Sequence, residues 1–325
     1  MKKKEFGQFF TTNCEYILSD MEIPSGAKLI EPFVGEGDLL KWSGRKDWEI
    51  YDLDPKINAT TRDTLLNPPS YKDKYVITNP PYLASNKTKN KTPFNKWETT
   101  DLYKCFIKSF ISGDAAGGIM IVPVNFLSDR DTKLRKLFFE KYKILKLNIF
   151  EERVFDDTDY TVCSIQFIKG EGGNGFTANF FPSGEQLFLK LNDSNGWRLA
   201  GELFSPVKSK YKITRLKIGQ NPSTNLLLRA IDTGTEDGRI CLIPEQEPFH
   251  GKESDRTFCT ISTNIPFDEK AVSIRFNQLL EENRTKYHSL FLTNYRNSTQ
   301  SYARKRIGFK LAFNMIKKIL AELDT

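Results

Sequence analysis

The sequence predicts an α/β fold, with a mostly parallel, doubly wound sheet in the first half of the chain and a smaller, irregular second half. Short apolar runs at 27 to 33, 48 to 54, 75 to 79, 117 to 124, 144 to 150 and 161 to 168 have strand length, and helical patterns at Asp101 to Ser112 and Asp129 to Tyr142 lie between some of them. Strand and helix in alternation give a parallel sheet. The first run is followed by Gly35-Glu36-Gly37, a turn that lets a ligand approach the backbone without Cβ clashes. Lys169-Gly170-Glu171-Gly172-Gly173-Asn174-Gly175 has the glycine density of a linker and divides a domain at 1–169 from one at 170–325.

Taken in order, the elements carry chemistry as well as shape. Leu29-Ile30-Glu31-Pro32-Phe33-Val34-Gly35-Glu36-Gly37-Asp38 is a strand, an acid and a glycine turn. Trp48-Glu49-Ile50-Tyr51-Asp52-Leu53-Asp54 is a second strand closed by carboxylates, and an acid there commonly accepts the ribose hydroxyls of a bound nucleoside. Glu31, Phe33, Gly35, Gly37 and Asp52 are thus expected to line one cofactor site. Tyr75 to Thr78 reads as a buried strand that ends in Asn79-Pro80-Pro81-Tyr82. Two prolines stop the sheet and leave carbonyls facing a cleft. An exocyclic amine has two N–H donors in fixed directions and a delocalised lone pair. The Asn79 amide oxygen and the Pro80 carbonyl can accept those hydrogens, and Tyr82 can offer a flat face to the ring that bears the amine.

These segments resemble the amino-group methyltransferases that use S-adenosylmethionine, acting on N6 of adenine or N4 of cytosine. The resemblance implies a Rossmann-like seven-stranded methyltransferase sheet with a C-terminal target-recognition domain. It also makes Phe6-Gly7-Gln8-Phe9-Phe10-Thr11-Thr12 similar to the family's first motif, which covers the methionine end of the cofactor. Phe10 belongs to that cover, and Thr11 or Thr12 would bond the carboxylate. Asp63 falls where the family places an acceptor for the cofactor's adenine, although such an acid is often a turn cap. Asn79 borders the same site. Glu151 to Asp157 matches the segment whose aromatic packs beside the target base, with Phe155 and Tyr160 competing for that role. Tyr160 to Phe167 is the candidate for the family's antiparallel edge strand.

Only 42 residues separate Gly37 from Asn79 (79 − 37), too few for an inserted recognition domain. Recognition is therefore expected downstream, the arrangement of the gamma class of N6-adenine DNA methyltransferases. The resemblance implies duplex DNA as substrate, a flipped adenine, a monomer and a functional pairing with a restriction endonuclease.

Charge points the same way. The net +7 arises from 207 to 325, where 20 basic residues face 13 acidic ones, while 1 to 206 balance at 28 each. Arg284 to Lys318 holds nine Lys or Arg and no Asp or Glu, interleaved with aromatics. A polyanion partner is expected there, with Arg304, Lys305 and Arg306 on phosphates and Asn294 or Arg296 at base edges. Ser85 to Lys96 follows the catalytic turn and is polar and basic, so a flap that orders on DNA is expected, with Lys87, Lys89 and Lys91 as contacts.

A 39% hydrophobic content over 325 residues is enough for a real core and two domains. No run approaches 18 apolar residues, and a cytoplasmic protein without a membrane span is expected. Cys14, Cys105, Cys163, Cys241 and Cys259 form no Cys-x-x-Cys pair and only two histidines are present, so free thiols and no metal are expected. A cytosine-C5 mechanism needs a thiolate, usually after proline, and the chain has no Pro-Cys pair. Two related readings stay open. N4-cytosine presents the same amine geometry, and protein glutamine methyltransferases also use Asn-Pro-Pro-Tyr, though with a helical domain placed before the sheet. Pro266-Phe267-Asp268-Glu269-Lys270 bears a faint likeness to a nuclease metal motif.

Overall fold

The computed structural model describes residues 11, 13–155, 160–170, 175–233, 235, 238–252, 255–296 and 304–324, with 294–296 as backbone. They form two compact units, one of residues 1–126 with 130–192, the other of 127–129 with 193–325.

The first unit is built on one sheet. Its strands are β1 (Lys28–Glu31), β2 (Trp48–Asp52), β3 (Thr60–Thr61), β4 (Lys74–Thr78), β5 (Gly117–Pro123), β6 (Tyr142–Phe150), β7 (Val162–Lys169), β8 (Phe176–Phe181) and β9 (Gln186–Leu189). Their spatial order is β3-β2-β1-β4-β5-β7-β6-β8-β9. The first seven in that order make the expected Rossmann-like sheet, parallel from β3 to β5 with β7 antiparallel to both β5 and β6. The sheet then exceeds seven strands, because β8 pairs parallel with β6 and β9 returns antiparallel. Phe176, Ala178 and Phe180 alternate inward and give that addition its core face. The first unit therefore runs on to Asn192, past the glycine-rich stretch expected as the boundary, of which 171–174 lie outside the described residues.

The core is aromatic. The helix Leu102–Ser112 buries Phe106 and Phe110, and the helix Lys133–Lys141 buries Phe138. Phe110 stacks on Phe167 of β7 at 5.1 Å and meets Phe138 and Tyr142 edge-on. β5 is buried at every position, and a Cβ on Gly118 would stand 2.2 Å from the Val76 carbonyl oxygen, so β4 and β5 close on each other through that glycine.

Strand order reverses between β1 and β4, neighbours whose chains then leave in opposite directions. Such a switch point opens a crevice beyond the carboxyl ends of the strands. The Gly35 turn follows β1 and Asn79 follows β4, so both motifs stand at its mouth.

The segment expected as a flap is folded in this structure. A short 3-10 turn, Ser85–Lys87, leads to the helix Thr92–Trp97, started by Pro93 and anchored by buried Phe94. Trp97 Nε1 donates to the Leu65 carbonyl at 2.7 Å, and Lys96 Nζ donates to the Leu66 carbonyl at 2.5 Å.

In the second unit, β10 (Thr214–Arg215), β11 (Leu227–Arg229), β12 (Cys241–Ile243) and β13 (Phe258–Ser262) form a sheet ordered β10-β13-β11-β12. β14 (Thr293–Arg296) pairs with β15 (Arg304–Arg306). The helices Glu269–Tyr287 and Phe309–Leu323 also belong to this unit. The acids of the nuclease-like stretch serve folding here: Asp268 caps the first of these helices by accepting from Ala271 N at 2.9 Å, and Glu269 accepts from Asn225 N.

Candidate functional site

One cleft, about 1040 Å³ counted out to its open mouth, lies in the first unit at the switch point. It gathers Thr11, Phe33, Gly35, Asp52, Asp63 and Asn79, residues from separate segments that the sequence places in one site. Phe10 and Thr12 lie outside the described residues.

The glycine turn takes its shape from its neighbours. Gly35 and Gly37 have φ of 52° and 78°, values that side-chain-bearing residues rarely adopt. Asp52 Oδ2 accepts from Gly35 N at 2.9 Å and its Oδ1 accepts from Asp54 N at 2.9 Å, so the end of β2 braces the turn after β1. Asp54 pairs with Lys56 in solvent, which leaves Asp52 as the carboxylate that lines the cleft. Asp63 is both a cap and a wall. Its Oδ1 accepts from Leu65 N at 3.1 Å and Leu66 N at 3.0 Å, and the residue borders the cavity.

Glu31 ends β1 fully buried. Its Oε1 accepts from Phe33 N at 3.0 Å and from the Thr78 hydroxyl, while Oε2 is buried with no hydrogen-bond partner among the described residues. Burial pushes its carboxyl up to about 8, against the pull of those two bonds and with Asp52 adding a like charge nearby. Glu31 is not among the cleft's lining residues; it stands beneath the turn that is.

At the end of β4, Asn79 is held from two sides. Its Nδ2 donates to Thr11 Oγ1 at 3.0 Å, and its Oδ1 accepts from the Tyr82 hydroxyl, which also lies 2.7 Å from the Ile121 carbonyl oxygen. Pro81 lines the cleft and Pro80 is buried. Tyr82 is itself buried, 3% exposed, with Tyr103 and Tyr160 each standing edge-on to it at 6.4 Å. The face expected for a base is therefore covered in this structure. Of the two aromatics in competition, Tyr160 stands beside Tyr82, whereas Phe155 is a core residue, 2% exposed. The Lys87 amino group lies 3.1 Å from the Tyr160 hydroxyl.

Sequence reasoning missed part of the wall. Arg62, Thr64, Asn90, Pro93 and Leu102 also line the cleft, Pro93 from the helix Thr92–Trp97 that roofs it, Asn90 from just before that helix and Leu102 from the start of the helix Leu102–Ser112. Pro93 with Phe94 and Trp97 was the available signal, since apolar residues at helical spacing are unusual in a loop.

The basic residues divide. Lys87, Lys89 and Lys91 are exposed, although Lys91 Nζ also donates to the Thr88 carbonyl at 2.7 Å. In the second unit, Asp232 is a buried hub. Its Oδ1 pairs with Arg284 at 2.8 Å, its Oδ2 accepts from Lys305 N at 3.0 Å, and its carbonyl accepts from Arg304 Nε at 2.9 Å. Lys305 is 4% exposed and Arg284 is 6% exposed, so these two cations of the acid-free run face inward. Arg304 and Arg306 are half-buried, and the side chains of Asn294 and Arg296 lie outside the described residues.

The cysteines are free, as far as the described residues go, and no group of three or more His, Cys, Asp or Glu among those residues is placed to hold a metal ion. No helix among them is long and apolar enough to cross a membrane.

Residues 49–155 match the family model described as Eco57I restriction-modification methylase. No curated protein matches the chain. Among solved structures it is similar to a protein described as a modification subunit of a type I restriction enzyme from Vibrio vulnificus YJ016, at 11% identity and a TM-score of 0.44, covering 60% of this chain and 51% of that one. A type I restriction-modification methyltransferase subunit from Streptococcus thermophilus gives 16% identity and a TM-score of 0.39, with 54% and 48% covered. The type IIG restriction endonuclease BpuSI gives 15% and 0.39, with 66% and 36% covered. The chain thus spans about half the length of such structures or less, and its fold assignment rests on strand order.

Proposed function

We propose that the chain is a site-specific DNA methyltransferase of a restriction-modification system, moving a methyl group from S-adenosylmethionine to N6 of an adenine turned out of duplex DNA. One observation carries the reading: Asn79 and Pro81, at the end of β4, border the same cleft as Gly35, Asp52 and Asp63. An amine-holding turn and a nucleoside-holding wall thus meet at one switch point. The family match over 49–155 supports the same chemistry.

The residues present fit that cofactor. Asp52 and Asp63 offer acceptors for ribose and for an adenine amine, and Phe33, Leu53 and Leu65 offer apolar surface. S-adenosylmethionine supplies an electrophilic methyl on a sulfonium centre. The chain's part is positioning. Asn79 Oδ1 and the Pro80 carbonyl accept the two amine hydrogens, aim the lone pair and hold the positive charge that develops on nitrogen, with no covalent enzyme intermediate. Turning the adenine out costs a few kcal/mol, offset in part by aromatic contact once Tyr82 is uncovered. Duplex contacts are assigned to Lys87, Lys89 and Lys91 and to Arg304 and Arg306, and the second unit to target recognition. A cytoplasmic monomer working beside a cognate endonuclease completes the reading.

Mass spectrometry of nucleosides after incubation with unmethylated plasmid and isotope-labelled cofactor tests it. Labelled N6-methyladenine is the expected product; labelled N4-methylcytosine would change the base, and label in neither would end the proposal.

A further inference from the structure

The Asn79 amide must be fixed in rotation as well as in place, because its Oδ1 and Nδ2 ends differ only by a half-turn and only the oxygen can accept an amine hydrogen. Among the described residues, Tyr82 and Thr11 bound that rotation. Tyr82 lies on the Oδ1 side, but its phenol has a single hydrogen and faces two acceptors, Asn79 Oδ1 and the Ile121 carbonyl, so it does not define the amide plane alone. Thr11 lies on the other side, 4% exposed, with Oγ1 3.0 Å from Asn79 Nδ2. Thr11 and Asn79 are 68 residues apart in sequence and both line the cleft.

We propose, on the reading given above, that Thr11 is a positioning residue for methyl transfer, its hydroxyl taking an Nδ2 hydrogen so that Asn79 Oδ1 is presented to the target amine. This differs from the expectation that the hydroxyl at 11 or 12 serves the cofactor's carboxylate. The two roles separate in the kinetics. A cofactor ligand changes cofactor affinity, whereas an amide tether changes turnover at saturation.

The test uses the full chain with Thr11→Val, which keeps the branched shape, and Thr11→Ser, which keeps the hydroxyl. Thermal melts establish that each is folded. Cofactor binding is read by calorimetry, and kcat and KM on unmethylated plasmid DNA by label transfer. For Thr11→Val, kcat is expected to fall on the order of 10- to 100-fold while cofactor affinity stays within about threefold of the parent. Thr11→Ser is expected to recover kcat to within a few-fold. An unchanged kcat in Thr11→Val, or a tenfold loss of cofactor affinity with kcat kept at saturation, would overturn the proposal. If Thr11→Val does not fold, a kcat in Thr11→Ser as low as that of Asn79→Ala overturns it too. Asn79→Ala run in parallel isolates the reading beneath. Normal turnover there removes the amine site altogether, while loss of turnover there beside an unaffected Thr11→Val removes Thr11 alone.

Discussion

The carboxylate of Asp52 accepts the backbone N–H of Gly35 at 2.9 Å, so the acid that ends β2 also shapes the glycine turn that follows β1. Asp52→Ala therefore removes more than a ribose acceptor. Cofactor affinity is expected to fall by on the order of 1.5 to 3 kcal/mol, and the melting temperature to fall with it as two backbone donors lose their partner. Calorimetric titration beside a thermal melt checks both. Unchanged affinity would take Asp52 out of the site.

Glu31 makes stability depend on pH. Its carboxyl is held at about 8 in the folded protein and at the ordinary glutamic acid value when unfolded. The folded state then keeps a proton that the unfolded state releases, so this group's contribution is fully present below about pH 4.5 and is lost as pH rises towards 8. Glu31→Gln, which mimics the neutral acid, is expected to flatten the fall in stability across that window. Urea titrations from pH 5 to 8 on both proteins read it, and parallel curves would remove Glu31 as the cause.

Asp232 predicts a stability effect separate from chemistry. Asp232→Ala leaves Arg284 buried without its 2.8 Å partner and frees the Lys305 amide, a destabilisation expected at about 3 to 5 kcal/mol by denaturant unfolding. A change below about 1 kcal/mol would mean that Arg284 finds water or another acceptor.

For DNA, the exposed Lys87, Lys89 and Lys91 are the cleaner probes. Replacing all three by Ala is expected to weaken target and non-target binding alike. The slope of log affinity against log salt is expected to shrink by up to about 0.9 for every phosphate that the variant no longer neutralises. An unchanged slope would put the phosphate-binding surface elsewhere. Replacing Arg304, Lys305 and Arg306 together would confuse the question, since it removes the Arg304 bond to the Asp232 carbonyl and truncates a buried side chain at Lys305.

The first half of the site was legible because each motif encodes its own local geometry. Gly35 and Gly37 announce positive φ, the prolines after Asn79 announce a strand end, and Asp52 ends an apolar run; none needs distant information. β1, β2 and β4 to β7 were legible for the same reason, whereas the two-residue, exposed β3 has no apolar run to announce it. What escaped depends on partners far along the chain. Tyr82 is covered by Tyr160, 78 residues on, and the Lys305 backbone N–H is taken by Asp232, 73 residues before it. Composition also misled at 85 to 96, where the polar and basic positions before Phe94 and Trp97 read as a loop although those two rings pin a helix. The β8 to β9 addition hid behind the glycine stretch, which the sheet simply continues past.

The Leu65 peptide has a further consequence. The Leu65 carbonyl is held by the indole of Trp97, and the Leu66 N–H of the same peptide group by Asp63, so one peptide links a carboxylate in the cleft wall to a fluorophore in the roof. Hydrogen bonds in series polarise one another, and a ligand that draws on the charge of Asp63 alters the donor strength felt at the indole. The chain has four tryptophans, so the Trp97 share of the emission is isolated by difference against Trp97→Phe. Trp97 emission is therefore expected to change when the cleft is filled and so to follow binding without a label.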